Sequence, residues 1–451
     1  MRKSQIHDLT GGGITKTLIR FALPFLGSSL LQFLYGVVDM IVVGQFSDAA
    51  GVTAVNNSGQ VMQLVTSLIC GIATGGTVLL GQYIGAKKHH EAGETVGSMV
   101  YLFAGLAAVI TALLLLLGNG IVALLHVPTE AIVPARAYLR ICGIGTVFIV
   151  GYNVVSSILR GIGDSKRPMY FIAISCVLNI IGDLLLVGYF HLGAAGAAIA
   201  TVAAQAVSFL CALVTLWRSG LPFPVSWTLD GQKLAKVMQL GVPVAFQDML
   251  TTLSFIIITV VVNLIGLSQS AAVGVVERII GFSMVISVAF MSALAVFTAQ
   301  NIGAGQQARA KKGMRISILV SLSLTLILFL VMQLVPETLM GLFTPDAEVI
   351  YHGSLYLRTY SIDALMVCFV FCLNGFFSGC GHTGFTLFNC LFSTFAVRVP
   401  LVILFAMQPG VTMLQIGIAA PVASLVQILI QLIYYRTGRW SKPILAKEES
   451  L

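Results

Sequence analysis

Apolar residues in this chain lie in runs of about 20, separated by short polar and charged segments. At a rise of 1.5 Å per residue, a helix of that length crosses the roughly 30 Å hydrocarbon layer of a membrane. The runs do not alternate polar with apolar residues, as the strands of a membrane β-barrel do. They predict twelve helices, which start near residues 14, 52, 95, 133, 170, 193, 236, 273, 314, 349, 385 and 414.

The two halves of the chain repeat one another at a nearly constant spacing of 218 residues. Three separated motifs recur: Gly81-Gln82-Tyr83-Ile84-Gly85-Ala86 as Ala299-Gln300-Asn301-Ile302-Gly303-Ala304, Tyr138-Leu139-Arg140 as Tyr356-Leu357-Arg358, and Gly161-x-Gly163 as Gly379-x-Gly381. One spacing for three motifs indicates a duplication. Each half has an even number of helices, so both halves enter the membrane from the same side as parallel repeats.

The predicted fold is therefore an all-α membrane protein, with twelve transmembrane helices in two parallel six-helix lobes around a central site. We expect an N-terminal lobe at 1–217, a cytoplasmic linker at 218–235, a C-terminal lobe at 236–437 and a cytoplasmic tail at 438–451. Pro24 and Pro243 stand at matching places in spans one and seven, where a proline breaks the helix ladder. Each position is either a hinge or a static kink.

Composition and charge agree with a membrane protein. Of 451 residues, 57% are hydrophobic and 9% are charged, whereas soluble domains carry about 25% charged residues. Most of the 25 Lys and Arg residues fall in the loops of one side, so the positive-inside rule predicts that both termini are cytoplasmic. The net charge of +8 is thus a topology signal, and we expect no nucleic-acid partner.

Sequence motifs give no indication of catalysis. The eight cysteines have no spacing typical of a disulfide framework or a zinc site. The chain has no Walker loop, no H-E-x-x-H motif and no nucleophile elbow, so we expect neither an enzyme nor a bound cofactor. Two duplicated apolar lobes around a central site are typical of secondary transporters. Without a nucleotide site, the energy for transport must come from an ion gradient.

Acids within the predicted spans are the main candidates for function, because a charge at that depth costs at least ~2.5–3.5 kcal/mol. There are five: Asp39, Asp183, Asp248, Glu277 and Asp363. Such acids are paired, protonated or directed at a wet cavity. Glu277 is adjacent to Arg278, so an ion pair is the favoured interpretation there.

The first half supplies an ion-coupling candidate. Its polar side chains at compatible depth are Tyr35, Asp39, Asn153, Asn179, Asp183 and Thr201. Tyr35 and Asp39, like Asn179 and Asp183, are four residues apart and share a helix face. Oxygen donors of this kind suit Na+, while two acids close together in a low dielectric suit a shared proton. A structural hydrogen-bond network between helices is the alternative.

The second half supplies four candidate substrate-binding side chains: Gln247, Asp248, Asp363 and Arg398. Structural pairing is the alternative for each. Asp363 would neutralise Arg358, five residues earlier in the same helix. Arg398 has no local partner and needs an acid from another helix, for which Asp248 or Asp363 is suitable.

Several segments, in order and in both halves, resemble the multidrug and toxic compound extrusion (MATE) family. They are Ala22-Leu23-Pro24, Leu34-Tyr35-Gly36-Val37-Val38-Asp39, Val43-Gly44, Gly81-Gln82-x-x-Gly85-Ala86, Leu159-Arg160-Gly161-x-Gly163-Asp164, Gly196-Ala197-Ala198-x-Ala200-Thr201 and Gly417-x-Ala419-x-Pro421. The second copy of the Leu159 motif reads Phe377-Ser378-Gly379-Cys380-Gly381-His382 and lacks both its Arg and its Asp.

The resemblance implies an exporter of cationic or amphipathic compounds that exchanges them for Na+ or H+ by alternating access. In the prokaryotic DinF-like branch the ion site lies in the N-terminal lobe, and its residues match the six listed above for the first half. Other branches place carboxylates in helices seven and ten, where Asp248 and Asp363 are approximate counterparts.

The resemblance also sets the expected setting and partners. We expect a multi-pass monomer of a bacterial cytoplasmic membrane, whose partners are small organic substrates and membrane lipids. No metal is expected beyond a transported Na+ at Asp39 and Asp183. The alternative function is a lipid or glycolipid-precursor flippase, which would favour basic residues in its cavity, and Arg398 keeps that alternative open.

Overall fold

A computed structural model describes residues 8–441, which form helices and no strands. Twelve of the helices are long and apolar enough to cross a membrane, as predicted. They are α1 (Ile14–Phe46), α2 (Ala49–Gly85), α3 (His89–Leu124), α4 (Thr129–Gly161), α5 (Lys166–Tyr189), α6 (Gly193–Ser219), α7 (Gly231–Asn263), α8 (Leu267–Gly303), α9 (Gln307–Leu334), α10 (Ala347–Cys380), α11 (Thr383–Ala406) and α12 (Met413–Arg436). Most of the predicted tail at 438–451 lies outside the described residues.

Each helix begins at or shortly before the residue predicted from the apolar runs. Most of the early starts, though not those of α2 and α12, are polar first turns that continue the helix beyond its apolar part. α9 is an example: it begins at Gln307 and carries Arg309, Lys311 and Lys312 before its apolar run. Hydropathy identifies only the segment that needs hydrocarbon, so the helix itself is longer.

Two compact units divide the chain, and their limits fall inside two helices. Among the described residues, the first unit contains 27–245, and the second contains 9–26 and 246–441. Helix α1 passes from one unit to the other just after Pro24, and α7 does so just after Pro243. The predicted lobe limits at 217 and 236 follow the sequence repeat and stay a prediction. The two units are defined by packing, so their limits differ from those of the repeat.

In the first unit, the first half of α7 packs closely against α2. A side chain at Gly71 would collide with the backbone of Ala245, and one at Gly75 would collide with the backbone of Gly241. At the start of α7, Lys233 is buried and its Nζ donates to Tyr83 Oη at 2.8 Å. The repeated motif at 81–86 therefore holds the beginning of α7.

In the second unit, the other copy of that motif holds the residues before α1. Gln300 Oε1 accepts from the Leu9 backbone N–H at 3.2 Å, and Asn301 Nδ2 donates to the Leu9 carbonyl at 3.3 Å. The guanidinium of Arg309 donates to the carbonyls of Leu9, Gly11 and Gly12. Each copy of the motif thus holds the chain at or before the start of one proline-containing helix: residues 81–86 hold that of α7, and residues 299–304 hold that of α1.

The fifth helix of each repeat contains a segment of π-helix. In α5 it spans Leu184–Tyr189, directly after Asp183, and in α11 it spans Phe392–Arg398. A π segment changes which side chains face inward and often marks a functional site. One segment begins after a buried acid, and the other ends on an arginine.

Candidate functional site

Two carboxyl groups of the first unit face each other across α1 and α5. Asp39 and Asp183 lie within hydrogen-bonding reach of one another. Asp183 is completely buried and Asp39 is half-buried. Within residues 8–441, Oδ1 of each has no hydrogen-bond donor. Two close carboxyl groups with free oxygens can hold a proton between them or bind a small cation.

A directed chain of hydrogen bonds leads to this pair. The amide of Asn179 is assigned with its nitrogen toward Asp183, where it donates to Oδ2 at 2.8 Å. Its oxygen then accepts from Thr201 Oγ1 at 3.2 Å. Since Thr201 has a single hydroxyl proton, the 3.3 Å contact with Tyr35 Oη has the tyrosine as donor. Five of the six predicted ion-site residues therefore meet in one cluster, the first-unit cluster: Tyr35, Asp39, Asn179, Asp183 and Thr201.

Close packing of α5 on α6 brings the parts of this cluster together. A Cβ atom at Gly182 would lie 2.9 Å from Ala200 Cβ, so the two helices approach more closely than side chains would allow. The neighbouring residues, Asp183 on α5 and Thr201 on α6, are consequently in reach of the same amide. Small residues of this kind let membrane helices approach one another.

Asn153, the sixth predicted residue, has different partners. Its Nδ2 donates to the Ile149 carbonyl at 2.8 Å, and its Oδ1 accepts from Cys70 Sγ at 3.3 Å. The structure therefore links Asn153 to α2, while the first-unit cluster involves α1, α5 and α6. Its role in ion coupling stays a prediction.

A cavity of about 390 Å³ opens beside the cluster, within the first unit. Asp39 lines it, so this acid belongs both to the cluster and to the cavity wall. The other lining residues come from α1, α2 and α4: Gly36, Met40, Val43, Val52, Val55, Asn56, Gly59, Gln60, Gln63 and Tyr138. The volume suits a small organic molecule.

Sequence reasoning missed Tyr138 and the three amides of this wall. Tyr138 belongs to a repeated motif, which was used only as evidence of duplication. Asn56, Gln60 and Gln63 follow the i, i+4, i+7 spacing of one helix face, and a stripe of amides within an apolar span could have identified them. The neutral polar residues that were predicted come from α1, α4, α5, α6 and α7, and none comes from α2.

The second unit has an arginine at its centre. The guanidinium carbon of Arg398 lies 4.6 Å from the Phe255 ring centroid and 5.6 Å from that of Tyr360, and Nη2 donates to Tyr360 Oη at 3.0 Å. Asp363 and Glu277 are near enough for their charges to act on Arg398. Unlike the first-unit cluster, this group holds a resident cation.

The remaining predicted residues of the second half do not form the expected pairs. Arg358 contacts Glu337, with 3.2 Å between Nη2 and Oε1, and Asp363 accepts from Ser424 Oγ at 2.5 Å. Asp248 is exposed and makes no ion pair with Arg398 among the described residues. Gln247 accepts from Thr251 Oγ1 through its backbone carbonyl at 2.7 Å. The structure thus brings Asp363 and Arg398 into one group, and among the described residues Gln247 and Asp248 make no hydrogen bond or ion pair with it.

A family model decides which family the chain belongs to. The MatE model matches the sequence twice, at residues 24–185 and 243–404. The chain belongs to the MatE family. Its two matches begin 219 residues apart, in agreement with the duplication and with the proline positions in α1 and α7.

MatE relatives match over nearly the whole chain. The sequence is 28% identical over 435 residues to the "Probable multidrug resistance protein YpnP" of Bacillus subtilis, covering 96% of this chain and 97% of that protein. It is 24% identical over 446 residues to the "Probable multidrug resistance protein NorM" of Thermotoga maritima, covering 95% and 94%. Among solved structures, an "Outward-facing conformation of a multidrug resistance MATE family transporter of the MOP superfamily" superposes with a TM-score of 0.91 at 21% identity, covering 98% and 99%. The fold is therefore that of MATE transporters.

Proposed function

We propose that the protein is a secondary antiporter that exports cationic or amphipathic organic compounds in exchange for Na+ or H+. One observation carries the proposal: Asp39 belongs both to a pair of acids with free oxygens and to the wall of a cavity. The names of the relatives support the multidrug part, since both were assigned to multidrug resistance. Transport, rather than a covalent reaction, is the proposed activity.

The coupling follows from competition for one negative charge. With Asp39 ionised, the cavity attracts an organic cation. When Na+ or H+ binds between Asp39 and Asp183, the charge on the cavity side is neutralised and the affinity for that cation falls. Linkage requires the reciprocal effect, so the bound substrate weakens ion binding, and a coupling of ~2–3 kcal/mol gives a useful exchange.

The hydrogen-bond chain gives the pair a preferred state. Asn179 donates to Asp183 Oδ2, so it holds that carboxyl as an acceptor, and Oδ1 has no hydrogen-bond donor among the described residues. In the proposed cycle, the proton or Na+ therefore enters between the two carboxyl groups, and Asp39 changes its charge toward the cavity. Alternating access would carry this site from one side of the membrane to the other.

The proposed setting is a bacterial cytoplasmic membrane with both termini on the cytoplasmic side. The distribution of Lys and Arg supports this orientation. Substrate would then be collected from the cytoplasm and released outside, with Na+ or H+ moving inward. Accessibility labelling of a single cysteine introduced at Glu130, in the first turn of α4, tests the orientation: reagent added outside intact cells should label it.

The test of the function is efflux of a fluorescent lipophilic cation from proteoliposomes under an imposed Na+ or pH gradient. Asp39→Asn and Asp183→Asn should each abolish gradient-driven efflux, while Glu130→Gln, which neutralises an exposed acid in the first turn of α4, should transport normally. The gradient that drives the wild type identifies the ion. Normal efflux by Asp39→Asn would show that the ion site lies elsewhere.

The flippase alternative needs a basic cavity, and the cavity of the first unit carries an acid. In the same proteoliposomes, a labelled phospholipid reports flipping by its accessibility to dithionite. Lipid movement without efflux of any cation would replace the antiporter proposal with the flippase.

A further inference from the structure

Three amide side chains stand exposed on a helix that spans the membrane. Asn56, Gln60 and Gln63 lie on one face of α2, and all three line the cavity beside Asp39. None of them makes a side-chain hydrogen bond within residues 8–441. These amides line a cavity and have no partner among the described residues, so their donors and acceptors are available to a polar occupant of that cavity.

We propose that these three amides form the wall that selects the substrate, and that the preferred substrate is an organic cation that carries hydrogen-bonding groups. This inference rests on the proposed transport function and specifies its substrate class. Each amide offers two donor hydrogens and an acceptor oxygen, so the wall recognises hydroxyl, carbonyl and amine groups alike. Asp39 supplies the single charge.

The dimensions and the opposite wall restrict the substrate further. From Asn56 to Gln63 the helix rises about 10 Å. The three amides can therefore bind hydrogen-bonding groups that are spaced along an elongated substrate. Met40, Val43 and Val52 give the cavity an apolar side. An amphipathic amine with polar groups along one edge satisfies both sides, whereas a purely hydrophobic cation leaves the amides without partners.

The second repeat supports a dedicated role for this stripe. At the repeat spacing of 218 residues, Gly274, Arg278 and Gly281 occupy the places of Asn56, Gln60 and Gln63. A stripe needed only for packing the second helix of each lobe would be expected in both copies. The amides are present only in the lobe whose cavity contains Asp39.

The test compares two singly charged probes in proteoliposomes under the gradient that drives the wild type. Doxorubicin has an amine with hydroxyl and carbonyl groups, and tetraphenylphosphonium has no hydrogen-bonding group. Gln60→Met and Gln63→Met keep the side-chain length and remove the amide. Each should reduce doxorubicin transport about threefold to tenfold, the range for a lost hydrogen bond, and leave tetraphenylphosphonium transport unchanged or raised.

Two control variants test whether the change in probe ratio is specific to the amides that line the cavity. Asn57→Leu removes an amide of α2 that does not line the cavity and should leave the ratio of the two probes as in the wild type. Gln60→Asn retains an amide and should recover part of the ratio lost in Gln60→Met.

Each remaining outcome has one meaning. If the wild type transports both probes and the methionine variants lower both equally, or neither, the amide wall is wrong and the antiporter stands. If the wild type moves neither probe under either gradient, the antiporter proposal fails, and the substrate wall fails with it. Size-exclusion profiles of the variants distinguish lost selectivity from lost folding.

Discussion

The two lobes share a scaffold but differ in the charges they hold. Each has a proline early in its first helix, a π segment in its fifth helix and a tyrosine at the repeated position, Tyr138 or Tyr356. The first-unit cluster has two acids and no basic residue. The group in the second unit has two acids with Arg398 between aromatic rings.

The repeat spacing shows how specific that difference is. At the 218-residue spacing of the repeated motifs, the counterparts of the first-unit cluster are apolar: Leu253, Ile257, Val397, Leu401 and Ala419. At the 219-residue spacing of Pro24 and Pro243, Ser254 and Arg398 replace Leu253 and Val397, but neither spacing places an acid opposite Asp39 or Asp183. The duplication therefore kept the helices and changed the chemistry. A cluster without a basic residue has room for an external cation, whereas the group in the second unit has Arg398 as its own cation. This difference supports the proposal that the exchanged ion binds in the first unit.

The largest expected effect comes from removing the resident cation of the second lobe. Arg398→Met loses the hydrogen bond to Tyr360 and the ring contacts, and it leaves Glu277 and Asp363 without a positive charge. We expect the free energy of unfolding to fall by about 3 kcal/mol, as when one partner of a buried charge pair is removed. Thermal unfolding of the purified protein, followed by tryptophan fluorescence, measures it.

A double variant tests whether the loss of stability in Arg398→Met comes from the unbalanced charge. Arg398→Met with Asp363→Asn restores the charge balance and should recover part of the loss. Arg315→Met, a basic residue of α9 outside this group, serves as the control. An Arg398→Met protein as stable as the wild type would mean that the acids need no resident cation, and the two lobes would no longer differ in this respect.

The anchors of α1 and α7 give the next largest effect. Arg309→Met removes several charge-assisted hydrogen bonds to the carbonyls of Leu9, Gly11 and Gly12 in a partly exposed site. We expect a loss of about 2 kcal/mol and faster hydrogen exchange in residues 9–26. The segment before α7 has its own anchor at Tyr83, so exchange there should not change.

Hydrogen exchange followed by mass spectrometry tests both segments in one sample. Tyr83→Phe is the matched variant, because it removes the hydroxyl that accepts from Lys233. It should accelerate exchange at the start of α7 alone. Equal acceleration of both segments by either variant would show that the two copies of the motif do not act separately.

An Asp→Asn substitution should change the free energy of unfolding in opposite directions in the two lobes. Asp39→Asn removes one of two acids that lie close together, so their repulsion disappears and we expect about 1 kcal/mol of stabilisation at neutral pH. Asp363→Asn removes a negative charge beside Arg398 and should destabilise by a similar amount. Thermal unfolding of both variants in one detergent measures the difference, and equal signs would contradict the assignment of a cation to one lobe only.

The sequence predicted the fold more completely than the site. Apolar runs define the twelve helices, because a span needs about 20 residues whatever surrounds it. The acids of the first-unit cluster were identified by their cost in hydrocarbon, and Asn179 and Tyr35 by their four-residue spacing. The passage of α1 and α7 between units could not be predicted, since it depends on glycine contacts such as those of Gly71 and Gly75 with residues more than 160 positions away.

The neutral polar residues of the site were harder to predict from the sequence than the acids. An amide in a span costs less than a charge, so Gln60 and Gln63 did not stand out from the apolar residues around them. Asn153 was grouped with the acids by depth and composition, but depth does not determine which side of a helix faces which neighbour. In the structure its amide contacts Cys70 on α2. Pairing between distant helices depends on rotation about each helix axis, which the sequence leaves open.

The smallest effect should come from the far end of the hydrogen-bond chain. Tyr35→Phe removes the hydroxyl that donates to Thr201, but Thr201 still donates to Asn179, which still donates to Asp183. We expect a loss of about 0.5–1 kcal/mol in ion affinity, or a twofold to fivefold change. The position of Asp183 is unaffected, so substrate affinity at saturating gradient should be unchanged.

Ion dependence of efflux measures this change, and Thr201→Val is the stronger companion variant because it interrupts the chain one step nearer the acids. The expected order of ion affinity is wild type, then Tyr35→Phe, then Thr201→Val. Leu253 and Ala419, at the repeat spacing from Tyr35 and Thr201, provide matched positions in the lobe without the chain. Conservative changes there, Leu253→Met and Ala419→Ser, should leave ion affinity as it is. If these two changes alter ion affinity as strongly as Tyr35→Phe and Thr201→Val, ion binding is shared between the lobes. The inference that Arg398 leaves the second lobe without an exchanged ion would then be wrong.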